Sequence, residues 1–273
     1  MNIYLGNHAD ESDDDEPFDF DNLEQYKLKA RLLDEWLQHR SIKTTQAELH
    51  AEGKLPHGQM ADDIMQSIDD AIEPLLERAG NLVGDVQAEP LAVNLTLKND
   101  SDTDWKITGS LKNIYPSVGL VDIKSSKLKG TDQLAFWIKY MVYRLSEAEG
   151  SCPDGYFIDL EDTYTVTADA ISLADAKTYL QDLLAYYWLG VCKPLALLPK
   201  SSAEFIKQEN KGKEFQGEHS SAWCADGAFN SPVGDLYDPY VELALRGMAE
   251  LPIDTQEFAE VSHVAYRFEL KKQ

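Results

Sequence analysis

Cysteine is scarce in this 273-residue chain, and the three present form no working pattern. Cys152, Cys192 and Cys224 are widely spaced and include no CxxC, which excludes a disulfide framework and a cysteine-based zinc site. Basic residues are also few: 25 Lys and Arg stand against 48 Asp and Glu, for a formal net charge of −23. Because Lys and Arg drive phosphate binding, a broad sequence-independent grip on nucleic acid is excluded, and any DNA contact must be local. No apolar run approaches 18 residues and no signal-peptide pattern occurs, so a cytosolic protein without membrane contact is expected. None of the 16 glycines lies in a GxxxxGK[ST] loop, and neither helicase motifs nor internal repeats occur, so no ATP site and no cofactor are expected. His39, His50 and His57 share a region but not a helix face, which argues against a metal role.

What is present is an ordinary apolar content of 43%, enough for a sizeable core. Asp10, Glu11, Asp13, Asp14, Asp15, Glu16, Asp19 and Asp21 form an acidic block without a base, and residues 1–21 are expected to be a flexible segment. Residues 22–273 are expected to form one domain. Asn22 is a candidate cap for a helix over Leu23 to Gln38, with Leu28, Leu32, Leu33 and Trp36 on its apolar face. A short helix is expected from Thr45 to Ala51, and a longer one from Gln59 to Ala79 with a possible kink at Pro74.

From Pro90 the period changes to two, as in a half-buried strand over Leu91 to Lys98. Asn99 to Asp102 reads as a hairpin turn, followed by strands over Trp105 to Ile114 and Val118 to Ser125, an antiparallel meander. A helix over Thr131 to Ser146 is apolar nearly all round and should be buried on more than one side. Strands at Gly155 to Leu160 and Tyr164 to Thr167 come next, then a long helix capped by Ser172 in which Tyr187 and Trp188 are expected to belong to the core. The remainder reads as helical and irregular, with Trp223, Phe229, Tyr237, Tyr240 and Phe258 as anchors. This order is α+β, with a mixed central sheet flanked by helices.

Within the meander lies a nuclease signature with its centre replaced. Metal-dependent nucleases of the PD-(D/E)XK type end one strand in Asp, the next in an acidic-x-Lys triplet, and follow with a Gln-bearing helix. Here Asp122-Ile123-Lys124 and Gln133 resemble the last two elements, while Lys112 stands at the place of the first Asp. A Mg²⁺ ion takes oxygen ligands, and an ammonium in place of a carboxylate removes a ligand and repels the ion. Lys112 and Asp122 are expected to pair with each other. Asp62 is the other candidate acid, and with Asp122 and Lys124 it defines the alternative of an active Mg²⁺-dependent nuclease. Lys124, Lys127 and Lys129 are the candidate DNA contacts.

The chain as a whole resembles the C-terminal domain of the RecC family, the gamma subunit of exodeoxyribonuclease V. The residues that carry the resemblance include Asp15-Glu16-Pro17-Phe18, Gly53-Lys54-Leu55-Pro56-His57-Gly58 and Thr108-Gly109-Ser110-Leu111. They continue with Gln133 to Ile138, Leu197 to Ser201 and Asp238-Pro239-Tyr240. The resemblance implies a nuclease-like fold without catalytic residues or bound metal, in a three-subunit ATP-dependent helicase-nuclease that processes double-strand breaks for homologous recombination. It further implies assembly with the alpha (RecD) and beta (RecB) subunits, contact with DNA only within the full complex, and a part in duplex strand separation. Asp62, Lys112, Asp122, Lys124 and Gln133 are then the remnants of a nuclease site.

Overall fold

A computed structural model describes residues 22–37, 47–49, 51–53, 55, 58–98, 103–147, 154–226, 232–246 and 252–273. The acidic block, the 99–102 turn, Cys152, Phe229, His39, His50 and His57 lie outside the described residues. Helix α1 spans Asn22–Leu37 and α2 spans Gln59–Val83, running through Pro74. On α2 the buried residues Ala61, Met65, Ile68, Ile72, Leu75, Ala79 and Val83 recur every three or four positions, as a single packed face requires. Leu28 and Leu32 of α1 pack with the first half of that face, and Leu33 packs with Leu75, Ala79 and Val83. Gly84 ends α2 at a positive φ of 59°, with its N–H donating to the Gly80 carbonyl at 2.8 Å.

The main sheet contains β1 (Glu89–Lys98), β2 (Asp104–Tyr115), β3 (Gly119–Ile123), β4 (Gly155–Ile158), β5 (Thr163–Val166) and β8 (Lys271–Lys272), in the order β1-β2-β3-β4-β5-β8. Its first three strands form the expected antiparallel meander. Helix α3 (Gly130–Ser146) then crosses over to make β4 parallel to β3, while β5 and β8 add antiparallel pairs. Strand alternation divides the core. Leu120 of β3 and Phe157 of β4 pack with Phe136, Trp137 and Tyr140 of α3, whereas Val121 and Ile158 point to the α2 side. Gly155 is fixed by this packing, because a Cβ there would come within 2.6 Å of the Tyr140 ring.

Helix α4 (Leu173–Cys192) begins as expected, with Ser172 Oγ accepting from the Asp175 N–H at 3.0 Å. It packs through Ala176, Tyr179 and Leu180, and the Tyr179 hydroxyl donates to the Ala265 carbonyl of α7 (Gln256–Ala265) at 2.8 Å. Helix α5 (Pro199–Asn210) is capped from a distance, with buried Asp235 accepting from Ser201 N–H at 2.7 Å. The α5–α7 contact includes a buried hydroxyl pair, Ser262 to Ser202, at 2.8 Å. Strands β6 (Ala225–Asp226) and β7 (Pro232–Val233) form a separate two-stranded ribbon, and the short α6 covers Pro239–Leu245. Of the expected anchors here, Trp223 and Phe258 are buried, but Tyr237 and Tyr240 are exposed.

Candidate functional site

The site forms where the first bend in the sheet meets α3. Glu89 pairs with Ile114 and Leu91 with Leu111, so Lys112 and Asn113 together oppose the single residue Pro90. Pro90 has no N–H to give the ladder, which suits it to a bulge on an edge strand. Asn113 takes up the extra length with a positive φ of 63°, a conformation Asn tolerates better than most residues. The bulge changes which side chain reaches the site. Asn113 Nδ2 donates to Asp122 Oδ1 at 3.2 Å, and Lys112 is exposed.

Asp122 is only 7% exposed. Its other oxygen, Oδ2, accepts from Lys139 Nζ at 2.6 Å, an ion pair from β3 to α3. The expected Lys112–Asp122 pairing is therefore corrected: Lys139 is the cation, and Asn113 the neighbour from β2. Two residues along the same face of the sheet, Lys124 Nζ meets Asp132 Oδ1 at 2.5 Å. Asp132 Oδ2 also accepts from the Lys129 N–H at 3.0 Å and so closes the first turn of α3. The surviving acid and lysine of the D-x-K triplet each have a partner of opposite charge on one helix.

The remaining candidates are not gathered here. Asp62 is exposed on α2, and α2 packs on the opposite face of the sheet from Asp122. Gln133 Nε2 donates to the Phe268 carbonyl at 3.2 Å, toward the C-terminal segment. Lys127 pairs with Glu161 at 2.6 Å, and that bond raises its pKa. Lys129 is exposed beside an open groove that it shares with Lys200, Lys207 and Arg267, but also with Glu204, Glu209 and Glu269. A groove of mixed sign does not favour a phosphate backbone as a basic stripe does.

Three residues of this region were not anticipated from the sequence. Lys139 lies seven positions after Asp132, two turns along the same helix face, a spacing that could have disclosed it. Asn113 is signalled only by Pro90 on the facing strand. Asp159, buried at the end of β4, is an acid close to the signature, but its carboxylate accepts the N–H groups of Leu128, Glu161 and Asp162 at 2.7, 2.8 and 2.7 Å. It organises the loops beside β3 and β4 and offers no ligand set. Among the described residues no group of three or more His, Cys, Asp or Glu side chains could hold a metal ion. One carboxylate that faces an ammonium and an amide does not fit the divalent ion of an active nuclease.

A second feature stands apart from the signature. On the last two turns of α4, Leu184, Tyr187, Trp188 and Val191 follow the i, i+3, i+4, i+7 spacing of an apolar stripe. Leu184 packs against the main core, but Tyr187, Trp188 and Val191 are 68%, 62% and 63% exposed, correcting the expectation that the two aromatics are buried. No helix among the described residues is long and apolar enough to cross a membrane.

The architecture is thus an α+β domain, a mixed six-stranded sheet flanked by helices, whose D-x-K strand is charge-paired to the crossover helix. The family model for the RecC C-terminal domain matches residues 1–210, and the chain belongs to that family. It is 24% identical over 196 residues to the RecBCD enzyme subunit RecC of Escherichia coli (strain K12), a match covering 71% of this chain and 16% of that protein. The corresponding subunits of two Buchnera aphidicola strains are similar at 24% over 193 residues (71% of this chain, 17% of the relative) and 22% over 232 residues (81% and 20%). The chain therefore spans between 16% and 20% of the length of these relatives.

Proposed function

We propose that this chain is a non-catalytic, nuclease-like interaction domain of a RecBCD-type helicase-nuclease. In this reading it supports assembly by docking the alpha subunit, and serves duplex strand separation in double-strand break repair. Family membership, with relatives named as subunits of the RecBCD enzyme, supports the assignment to such a complex. The observation that carries an interaction role is the apolar stripe at the end of α4, which leaves the core and continues into solvent as Tyr187, Trp188 and Val191. Contiguous exposed aromatic and aliphatic side chains of this kind mark protein interfaces, and Trp and Tyr are the residue types that dominate their energetics. The pairing of Asp122 with Lys139 supports the non-catalytic part.

The test is co-purification of this chain with its cognate alpha and beta subunits. Capture of the alpha subunit is expected, with Tyr187→Gln/Trp188→Gln weakening it by about 30-fold or more. A variant that binds as well as the parent overturns the docking face. In parallel, the chain with Mg²⁺ or Mn²⁺ is expected to leave linear DNA intact. Metal-dependent degradation that disappears in Asp122→Ala would instead establish the alternative of an active nuclease.

A further inference from the structure

We propose that Lys139 is a built-in counter-ion standing where a divalent cation would sit, and that replacing it, with Asn113→Asp, recovers a divalent metal site. The inference rests on the non-catalytic reading and specifies what keeps metal out. Asp122 is buried, and each of its oxygens already accepts from a donor, Asn113 Nδ2 at 3.2 Å and Lys139 Nζ at 2.6 Å. A Mg²⁺ or Mn²⁺ ion bound to Oδ2 requires the lone pairs that face the ammonium, at a metal–oxygen distance of about 2.1 Å. The two cations cannot share that position. Lys139 reaches it from a side chain 44% exposed, so its ammonium enters from the solvent edge rather than through the core.

The neighbouring pair makes the replacement complete. Lys124, just past the end of β3, is matched by Asp132, so the acid and the lysine of the triplet each have a partner of opposite charge on α3. Among the described residues, both carboxylates of this face, Asp122 and Asp132, are matched by an ammonium. Asn113 is the second half of the device: the bulge holds its side-chain amide against Asp122, where it donates a hydrogen bond instead of offering a second carboxylate. Asp tolerates positive φ as Asn does, so Asn113→Asp leaves the bulge intact while adding a ligand. Lys139→Met keeps an unbranched apolar stem and removes the charge. Two carboxylates plus water then meet the usual needs of a hard divalent ion.

The experiment measures MnCl₂ binding by calorimetry and Mn²⁺-dependent thermal shift at constant ionic strength, with folding checked by circular dichroism. For the parent chain, the Mn²⁺ response is expected to be the same with and without Asp122→Asn. Asn113→Asp/Lys139→Met is expected to bind Mn²⁺ about tenfold more tightly than the parent, through the added ligand charge, and to lose the gain when Asp122→Asn is included. An Asp122-dependent Mn²⁺ response in the parent overturns the proposal, as does a folded double variant with no gain. Should the double variant not fold, Lys139→Met alone decides: it is expected to show a smaller Asp122-dependent Mn²⁺ shift, and its absence overturns the proposal. Metal-dependent DNA degradation by the parent would defeat the non-catalytic reading itself, whereas a missing gain in the variants defeats only the role given to Lys139 and Asn113.

Discussion

The face where β3 meets α3 and the far end of α4 both break the ordinary division of polar outside and apolar inside, in opposite ways. At the first, buried Asp122 and half-buried Lys124 sit inside the fold, and each is matched by a charge on α3. At the second, Tyr187, Trp188 and Val191 lie in water although their spacing is that of a core stripe. A buried charge is tolerable only when paired, so the first region has to complete itself. An exposed apolar stripe has no comparable internal remedy, and under the proposed function its completion is left to another surface. The contrast separates a charge-paired site that ties β3 to α3 from a surface that looks outward.

Removing the closure at the first region has the largest expected effect on stability. Lys139→Met leaves Asp122 buried with only the Asn113 amide for a partner. Exposed ion pairs contribute about 0–1 kcal/mol, and breaking a fully buried pair costs about 3–5 kcal/mol. Asp122 is buried but Lys139 is half-exposed, so a loss of about 2 kcal/mol lies between those limits, readable in urea denaturation. Lys139→Arg should restore most of it, and Asp122→Asn should relieve part of the loss in the Lys139→Met background. If Lys139→Met is as stable as the parent, the β3–α3 pairing is incidental and the comparison loses its first half.

The root of α4 sharpens the second half, because the same helix is sealed there. Burial pushes the Tyr179 phenol well above its usual value, despite the opposing effect of Arg267, and Tyr266 is raised chiefly by burial as well. The folded state therefore holds these protons while the unfolded chain releases them above a pH of about 10. Since the unfolded state then binds fewer protons, stability falls as pH rises beyond that point, by about 1.4 kcal/mol per pH unit for each such phenol. Below it neither group adds a pH dependence. Unfolding measured from pH 9 to 11.5 should show this alkaline decline, and Tyr179→Phe should lessen its slope by one phenol's share. An unchanged slope would mean that the root of α4 is wetter than its packing indicates.

Much of this fold was legible in the sequence because its signals are periodic. The two-residue alternation from Leu91 to Leu97 and the all-round apolar helix after Gly130 report directly on burial, and Ser172 caps α4 through a bond the sequence implies. Strand β8 left no such trace: Lys271 and Lys272 pair with β5 along the backbone, Lys272 also reaches Asp162 just before that strand, and two lysines carry no alternation. The site was legible in part. Asp122 and Lys124 were found as a pair, but counting residues along β2 pointed to Lys112 because counting assumes an even ladder. The bulge at Lys112 and Asn113 shifts the pleat by one residue, and that is enough to exchange the side chain facing Asp122. The aromatics of α4 were misplaced for a different reason. Helical spacing shows that a stripe exists, not whether this chain covers it.

That last point makes the smallest expected effect the most discriminating. If Tyr187 and Trp188 were core residues, Gln at either position would cost several kcal/mol, as truncating a buried aromatic does. Exposed as they are, they lose little on unfolding, and Gln is at least as good a helix former as Tyr or Trp. Trp188→Gln should therefore change the stability of the isolated chain by no more than about 0.5 kcal/mol, the range of surface substitutions away from special features. Thermal unfolding of the chain alone checks this, and the same variant in the presence of the alpha subunit should lose most of the stabilisation that binding confers on the parent. A large loss in the isolated chain would place the stripe in the core and remove the outward-looking surface. A small loss there, with a large one in the complex, would show that the stripe of α4 is completed by another protein while β3 is completed by α3.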